Sequence, residues 1–211
     1  MESPAILVLV VFGLLGLSLW WSASSRKAAR EELRSRALGN LEAARAFWRE
    51  AERRGGLLPV ESTLFLKDGE KAFFCEKVEL MEPRAVRTGT GNRVGFRVAR
   101  GVWVSTGTST SESNDVWKRL DEGMLTITNR RIVFDGQMGT RNLDLAKLVS
   151  VSPRVDGIEV AVENRQKSSG FTCANPLKPW LVANVCARVP DPTKFDAKAI
   201  EVDFASIEKA I

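Results

Sequence analysis

The residue types that most often perform catalysis are scarce in this chain. Histidine is absent, which removes Ser-His and Cys-His catalysis and histidine metal ligation. The cysteines Cys75, Cys173 and Cys186 are odd in number and lack CxxC spacing, so they indicate neither a disulfide framework nor a zinc ribbon. We expect buried, reduced thiols of a cytoplasmic domain, the alternative being a periplasmic domain with one disulfide. The sequence therefore predicts no catalytic residue, no metal and no cofactor, with a carboxylate- or cysteine-dependent enzyme as a minor alternative.

The N-terminal segment from Ala5 to Trp21 contains no charged residue. As a helix it would span roughly 25 Å, near the lower limit for the hydrocarbon core of a bilayer. Positive charges follow this segment rather than precede it, which favours a retained anchor over a cleaved secretory signal or a buried core helix. The sequence predicts a single transmembrane helix within residues 1–25, a cell-membrane location and a cytoplasmic soluble domain.

The basic composition of the chain bears on its partners. The net charge is +5, and part of the excess follows the predicted anchor, at Arg26, Lys27 and Arg30. Near an anionic leaflet, each Lys or Arg of such a group adds about 1 kcal/mol of binding free energy. The alternative is that these charges only set the topology of the anchor. Nucleic acid is not predicted as a partner, because tryptophans within predicted strands and helices are expected in the core rather than exposed for base stacking.

Residues 26–56 are rich in Ala, Leu, Glu and Arg and predict a helical stalk that ends at Gly55-Gly56. Its apolar residues recur every three or four positions and form one thin stripe: Leu33, Ala37, Leu41, Ala44, Trp48 and Ala51. The stripe could form a loose coiled coil or dock onto the following domain. A solvated spacer is the equally weighted alternative.

Residues 57–189 alternate between apolar and polar residues and predict about seven antiparallel strands. We place strands at Lys71–Leu80, Val94–Ser105, Met124–Thr128, Arg131–Asp135, Arg141–Leu145, Val149–Val151, Gly157–Glu163 and Ser169–Cys173. The glycine-rich residues 89–95 and the small polar residues 106–113 are interpreted as exposed loops.

Two Asx-Pro pairs predict the C-terminal helices. Asn175-Pro176 should begin a helix of about twelve residues with an apolar face able to cover one end of a barrel. Asp191-Pro192 repeats this pattern within residues 190–211, which predict a helical extension, although residues 200–203 are also compatible with a strand.

One segment carries a resemblance to a known family. The residues Gly123-Met124-Leu125-Thr126-Ile127-Thr128-Asn129-Arg130-Arg131-Ile132-Val133-Phe134 resemble the GRAM family of pleckstrin-homology-like domains, in which a strand ending in Thr is followed by a tight basic turn and an apolar strand. Residues 142–151 resemble the segment that follows in that family. The resemblance spans about residues 62–188 and implies a seven-stranded antiparallel barrel capped by a C-terminal helix.

The same resemblance implies an anion site in the first hairpin, where phosphoinositide-binding members hold their ligand. The matching residues 81–100 provide five arginines: Arg84, Arg87, Arg93, Arg97 and Arg100. Guanidinium groups bind phosphate oxygens well. An ordinary solvated strand face is the alternative interpretation.

Taken together, the sequence predicts a non-enzymatic adaptor with four parts: an anchor (1–25), a stalk (26–56), a GRAM-type domain (57–189) and an extension (190–211). The domain is expected to contact anionic lipid headgroups or a membrane-associated protein. The alternative is a protein-interaction scaffold that acts through the stalk helix and an edge of the barrel without binding lipid.

Overall fold

The computed structural model describes residues 4–99, 102–163, 165–196 and 200–211, with the backbone alone for 4–25, 85–99, 102–115 and 210. The described residues form three helices and seven strands. The helices are α1 (Pro4–Arg54), α2 (Leu177–Arg188) and α3 (Phe204–Ala210). The strands are β1 (Ala72–Ala99), β2 (Val102–Thr128), β3 (Arg131–Gly136), β4 (Thr140–Asp144), β5 (Leu148–Pro153), β6 (Gly157–Val162) and β7 (Ser169–Thr172).

The seven strands form one antiparallel sheet in the order β4-β3-β2-β1-β7-β6-β5. β1 joins the two halves of this sheet, because it pairs with β2 along its length and with β7 only from Glu79 to Met81. A short 3-10 helix, Leu145–Lys147, connects β4 to β5. Among the described residues β4 and β5 do not pair with each other, so the sheet is open.

This arrangement corrects part of the predicted fold. The chain is mainly β with seven antiparallel strands, but the strands form an open sheet rather than the predicted closed barrel. The strand expected at Val94–Ser105 is wrong, since β1 ends at Ala99 and β2 begins at Val102. The expected loops at residues 89–95 and 106–113 instead pair with each other along the β1–β2 hairpin. Threonine favours strands, and glycine does not end a strand when the partner strand continues opposite it.

Helix α2 packs its apolar face against the sheet, where the sequence predicted a helix that covers one end of a barrel. Leu177, Leu181, Val182 and Val185 are buried in one core with apolar side chains of the sheet. Asn175 Oδ1 accepts a hydrogen bond from the Leu177 amide at 3.1 Å, which satisfies one of the free amides of the first turn. The prediction of a twelve-residue helix after Asn175-Pro176 is confirmed.

The C-terminal half of α1 packs onto the domain. Leu41, Ala44, Trp48 and Ala51 of the predicted stripe are buried in the main core, and the Trp48 ring lies 5.8 Å from the ring of Phe195. Docking, one of the alternatives for the stalk, is therefore what the structure shows for this half. Toward the N-terminus the helix leaves the domain, since Leu33 is half exposed.

Two glycines end α1 and allow the C-terminal segment to approach it. Gly55 has a φ of 71°, a left-handed conformation that favours glycine at the end of a helix. A Cβ atom at Gly56 would lie 2.0 Å from the Thr193 carbonyl oxygen, so only glycine fits there. Helix α3 continues this contact, because Glu208 forms an ion pair with Arg45 of α1 at 2.6 Å. The last helix begins after Asp203, whose carboxylate accepts from the Ser206 amide, and not at Asp191-Pro192 as predicted.

The prediction of a transmembrane anchor within residues 1–25 is corrected. Within the part of the chain that the structure describes, no helix is sufficiently long and apolar to cross a membrane. The predicted anchor and stalk form one helix, α1, in which the apolar run leads without a break into a highly charged segment. Residues 1–3 and the side chains of residues 4–25 lie outside the described residues.

The turn between β2 and β3 is held by a buried carboxylate from the segment before β1. Glu70 Oε1 accepts hydrogen bonds from Thr128 Oγ1 and Arg131 Nε, both at 2.8 Å. Glu70 Oε2 accepts from Arg131 Nη2 at 3.1 Å and from the Lys67 amide at 2.9 Å. Thr128 Oγ1 also accepts from the Arg131 amide at 3.0 Å. A single carboxylate thus joins two segments about sixty residues apart.

Asn129 completes the connection between these segments. Its Oδ1 accepts from the Lys71 amide at 2.9 Å, and its Nδ2 donates to the Gly69 carbonyl at 3.1 Å. The Thr128-Asn129-Arg130-Arg131 sequence therefore has a structural role, because its side chains replace backbone hydrogen bonds that a two-residue turn cannot make.

The environment of Glu70 keeps its carboxylate ionised. Burial alone would raise its pKa, but the hydrogen bonds from Arg131, the Lys67 amide and Thr128 hold the pKa at about 2, below the ordinary value of 4.5. A carboxyl group whose pKa is lowered on folding stabilises the folded state above its unfolded pKa, and this contribution is lost as the pH falls toward the folded pKa.

We expect Trp48→Ala to lower the free energy of unfolding of the full-length chain by about 3–5 kcal/mol, because it leaves a cavity between α1 and Phe195. Urea denaturation followed by circular dichroism measures the change. Leu33→Ala on the exposed part of the same helix is the control, with an expected change within about 0.5 kcal/mol. Equal effects of the two substitutions would contradict the docking of α1.

We expect Glu70→Gln to destabilise the protein by about 3 kcal/mol at pH 7, and this difference from the wild type to shrink as the pH falls from about 4.5 to 2. Urea denaturation over this pH range tests it. Glu50→Gln, which removes a solvent-exposed carboxylate that pairs with Arg53 and Arg54, should change stability little at any pH. A difference between Glu70→Gln and wild type that does not depend on pH would disprove the role given to the ionised carboxylate.

Candidate functional site

A cleft of about 660 Å³ lies where the β2–β3 turn, the 3-10 helix and the end of α2 meet. Each of these elements is fixed by a contact described above or by one between them. The Leu145 amide donates to the Arg130 carbonyl at 3.0 Å, which fastens the 3-10 helix to the β2–β3 turn. At the end of α2, Val185 and Cys186 are buried in the core that α2 shares with the sheet. The cleft is thus a built feature of the fold.

The lining of the cleft carries four cations and two carboxylates. The cations are Lys67, Arg130, Arg131 and Arg188, and the carboxylates are Glu70 and Asp144. Both carboxylates are engaged within the protein. Glu70 binds Arg131 and Thr128, and Asp144 Oδ1 accepts from the Ala146 amide at 2.9 Å to cap the 3-10 helix.

Three of the four cations have no such engagement. Within the described part of the chain, the side chains of Lys67, Arg130 and Arg188 form no hydrogen bond or ion pair with a protein group. Among the residues that the structure describes, Arg130 and Lys67 form hydrogen bonds through backbone groups and not through their side chains. Three guanidinium or ammonium groups therefore face one cleft with their donors free for a ligand.

The end of α2 opposes this positive potential only in part. A helix C-terminus carries roughly half a negative charge, and α2 ends at the cleft with Arg188 in its last turn. The four cations and two carboxylates of the lining leave a net side-chain charge of +2, which exceeds this partial charge. The cleft is therefore electropositive, and it suits a ligand that carries negative charge and accepts hydrogen bonds.

Cys186 is the one lining residue with a potential nucleophile. Burial raises the pKa of its thiol to about 12, so the sulfur is protonated at neutral pH. Burial, together with the charges of Glu76 and Asp156, likewise raises the pKa of Cys173 to about 12. Neither sulfur has the character of an activated thiolate. Among the described residues, no cluster of three or more cysteine, aspartate or glutamate side chains could hold a metal ion.

The structure does not bring the five predicted arginines together with this cleft. Arg84 lies on β1, is exposed and has its guanidinium 3.5 Å from Glu82. The backbone positions of Arg87, Arg93 and Arg97 are in β1, but their side chains lie outside the described residues, and Arg100 lies outside them altogether. The anion site predicted in the first hairpin stays a prediction.

The three predicted juxtamembrane residues lie on the exposed part of α1. Arg26, Lys27 and Arg30 are all solvent-accessible, and Lys27 is 4.0 Å from Glu31. Their predicted role depended on the anchor that the structure does not support. The scaffold alternative also loses part of its basis, because the stalk stripe from Leu41 onward is buried against the domain itself.

The cations of the cleft were not identified as a site from the sequence. Arg130 and Arg131 appeared there only as part of a family-like turn, and Lys67 and Arg188 had no distinguishing pattern around them. A basic pair within a tight turn between two apolar strands is the one local signal that could have drawn attention to this end of the sheet. The other mark of the site is that Lys67, Arg130 and Arg188 have no ion-pair partner among the described residues. This cannot be seen in the sequence, because it depends on contacts between residues distant in the chain.

Comparisons with known proteins give no family for this chain. No protein-family model, no curated protein and no solved structure matches it significantly. Neither the resemblance to the GRAM family nor lipid binding receives support from these comparisons, and both rest on the sequence motif alone.

Proposed function

We propose that the chain is a binding module that holds an anionic group in the basic cleft between the β2–β3 turn and the end of α2. The observation that carries the proposal is that Lys67, Arg130 and Arg188 face the cleft without a protein partner among the described residues, whereas both acidic residues of the lining are engaged. Guanidinium and ammonium groups favour phosphate or carboxylate ligands.

The fixed position of the surrounding backbone supports this role. Glu70 holds Arg131 and the Lys67 amide, and Asn129 holds the Lys71 amide of the segment before β1, so the backbone around the cleft is fixed without a ligand. A site of this kind loses little conformational entropy on binding. The protonated state of Cys186 and the lack of histidine favour binding over chemistry at the same place.

The proposal is tested with inorganic pyrophosphate, a compact polyanion, titrated into the full-length chain by isothermal calorimetry at low and physiological salt. We expect salt-sensitive binding, and we expect Arg130→Gln and Arg188→Gln each to weaken it about tenfold, since each removes a charge-assisted hydrogen bond. The matched control is Arg84→Gln, an equal change of charge on β1 outside the cleft lining, which should leave the affinity unchanged.

A parallel measurement distinguishes a soluble ligand from a headgroup. Sedimentation with neutral and with anionic vesicles is compared for the wild type and the same three variants. A preference for anionic vesicles that Arg130→Gln and Arg188→Gln reduce would assign the anion to a lipid headgroup, and the absence of that preference would assign it to a soluble compound. Equal effects of all three variants on pyrophosphate binding would refute the cleft as the site.

A further inference from the structure

The lining of the cleft has two chemically different sides. One side is basic and comes from Lys67 and the β2–β3 turn. The other side comes from the 3-10 helix and the end of α2, where Arg188 is flanked by residues without charge: Leu145, Ala146, Cys186, Ala187, Val189 and Pro190. A site for a small inorganic anion needs only the charged residues of this lining.

The size of the cleft also exceeds what an isolated anion requires. A phosphate group displaces a few water molecules of about 30 Å³ each, whereas the cleft holds about 660 Å³. This volume lies within the range of roughly 300–1,000 Å³ that is typical for organic ligands. Space for a substantial organic body therefore remains next to the bound anion.

The apolar side restricts the nature of that body. Leu145 and Cys186 are buried and Val189 is half-buried, so apolar atoms form part of the cleft wall. The high pKa of Cys186, raised to about 12 by burial, keeps its sulfur uncharged. No aromatic side chain occurs among the described lining residues, and a nucleobase would therefore lack an aromatic stacking partner.

Resting on the function proposed above, we infer that the ligand is an amphiphilic anion, a phosphate or carboxylate attached to an aliphatic body. The anionic group contacts Arg130, Arg188 and Lys67, and the aliphatic body lies against Leu145 and Val189. Affinity then depends on both parts, because burial of each methylene adds to the charge-assisted hydrogen bonds.

The inference is tested by calorimetric titration of the full-length chain with inorganic phosphate, methyl phosphate and butyl phosphate. Butyl phosphate should bind about tenfold more tightly than methyl phosphate, as expected for partial burial of three methylenes. Butanol, which has the chain without the charge, should not bind detectably. Val189→Thr, a substitution of nearly equal volume, should reduce the gain from the butyl chain and leave methyl phosphate unaffected.

The control variant is Val149→Thr on β5, which changes an exposed valine outside the cleft and should preserve the gain from the butyl chain. Equal affinity for methyl and butyl phosphate would overturn the inference that the ligand is amphiphilic. The proposed anion site would still stand if Arg130→Gln weakened the binding of both compounds. Failure of every phosphate, pyrophosphate included, to bind would overturn both proposals. Binding of butanol as tight as that of butyl phosphate would overturn the role of the charge.

Discussion

The buried carboxylate of Glu70 is the constraint on which this end of the molecule depends. An ionised carboxylate in the interior is costly unless each oxygen is hydrogen-bonded, and Glu70 receives bonds from Arg131, Thr128 and the Lys67 amide. These donors come from the segment before β1 and from the β2–β3 turn. Because the charge cannot stay buried without them, the two segments must keep their relative positions, and the rim of the cleft keeps its shape.

The same contact decides which charges are left for a ligand. Arg131 is neutralised by Glu70, so this pair contributes little to the potential in the cleft, whereas Asp144 caps the 3-10 helix and keeps its negative charge. Lys67, Arg130 and Arg188 keep their charges without a counterion in the described part of the chain. Elsewhere on the surface, cations such as Arg119 and Arg141 are paired with glutamates. Three cations without an ion-pair partner among the residues described line one concave surface, and this arrangement, rather than the net charge of +5, makes the cleft electropositive.

The helices give the open sheet its second layer. Helix α2 covers the inner face of the strands, and the C-terminal half of α1 packs outside it with Trp48 against Phe195. An open sheet leaves a face that must be covered to bury its apolar side chains, and two helices meet this need where a closed barrel would require pairing of β4 with β5. The C-terminal half of the predicted stalk is therefore a structural element of the domain. The thin alanine-rich stripe in the sequence was compatible with this docking but equally compatible with a solvated spacer.

Local patterns in the sequence determined the elements whose causes are local. The alternation of apolar residues around the Thr128-Asn129-Arg130-Arg131 turn predicted the β2–β3 hairpin, and Asn175-Pro176 predicted α2 with its length. The absence of histidine from the composition by itself excluded every histidine-dependent reaction mechanism. The limits of β1 and β2 were missed because glycine and serine, read locally, suggest turns. Only the tertiary structure decided the open sheet, the docking of α1 and the cleft. Lys67, Arg130 and Arg188 are far apart in the chain, and whether a cation is neutralised depends on carboxylates brought near it by folding, as Glu70 is brought to Arg131 from sixty-one residues away.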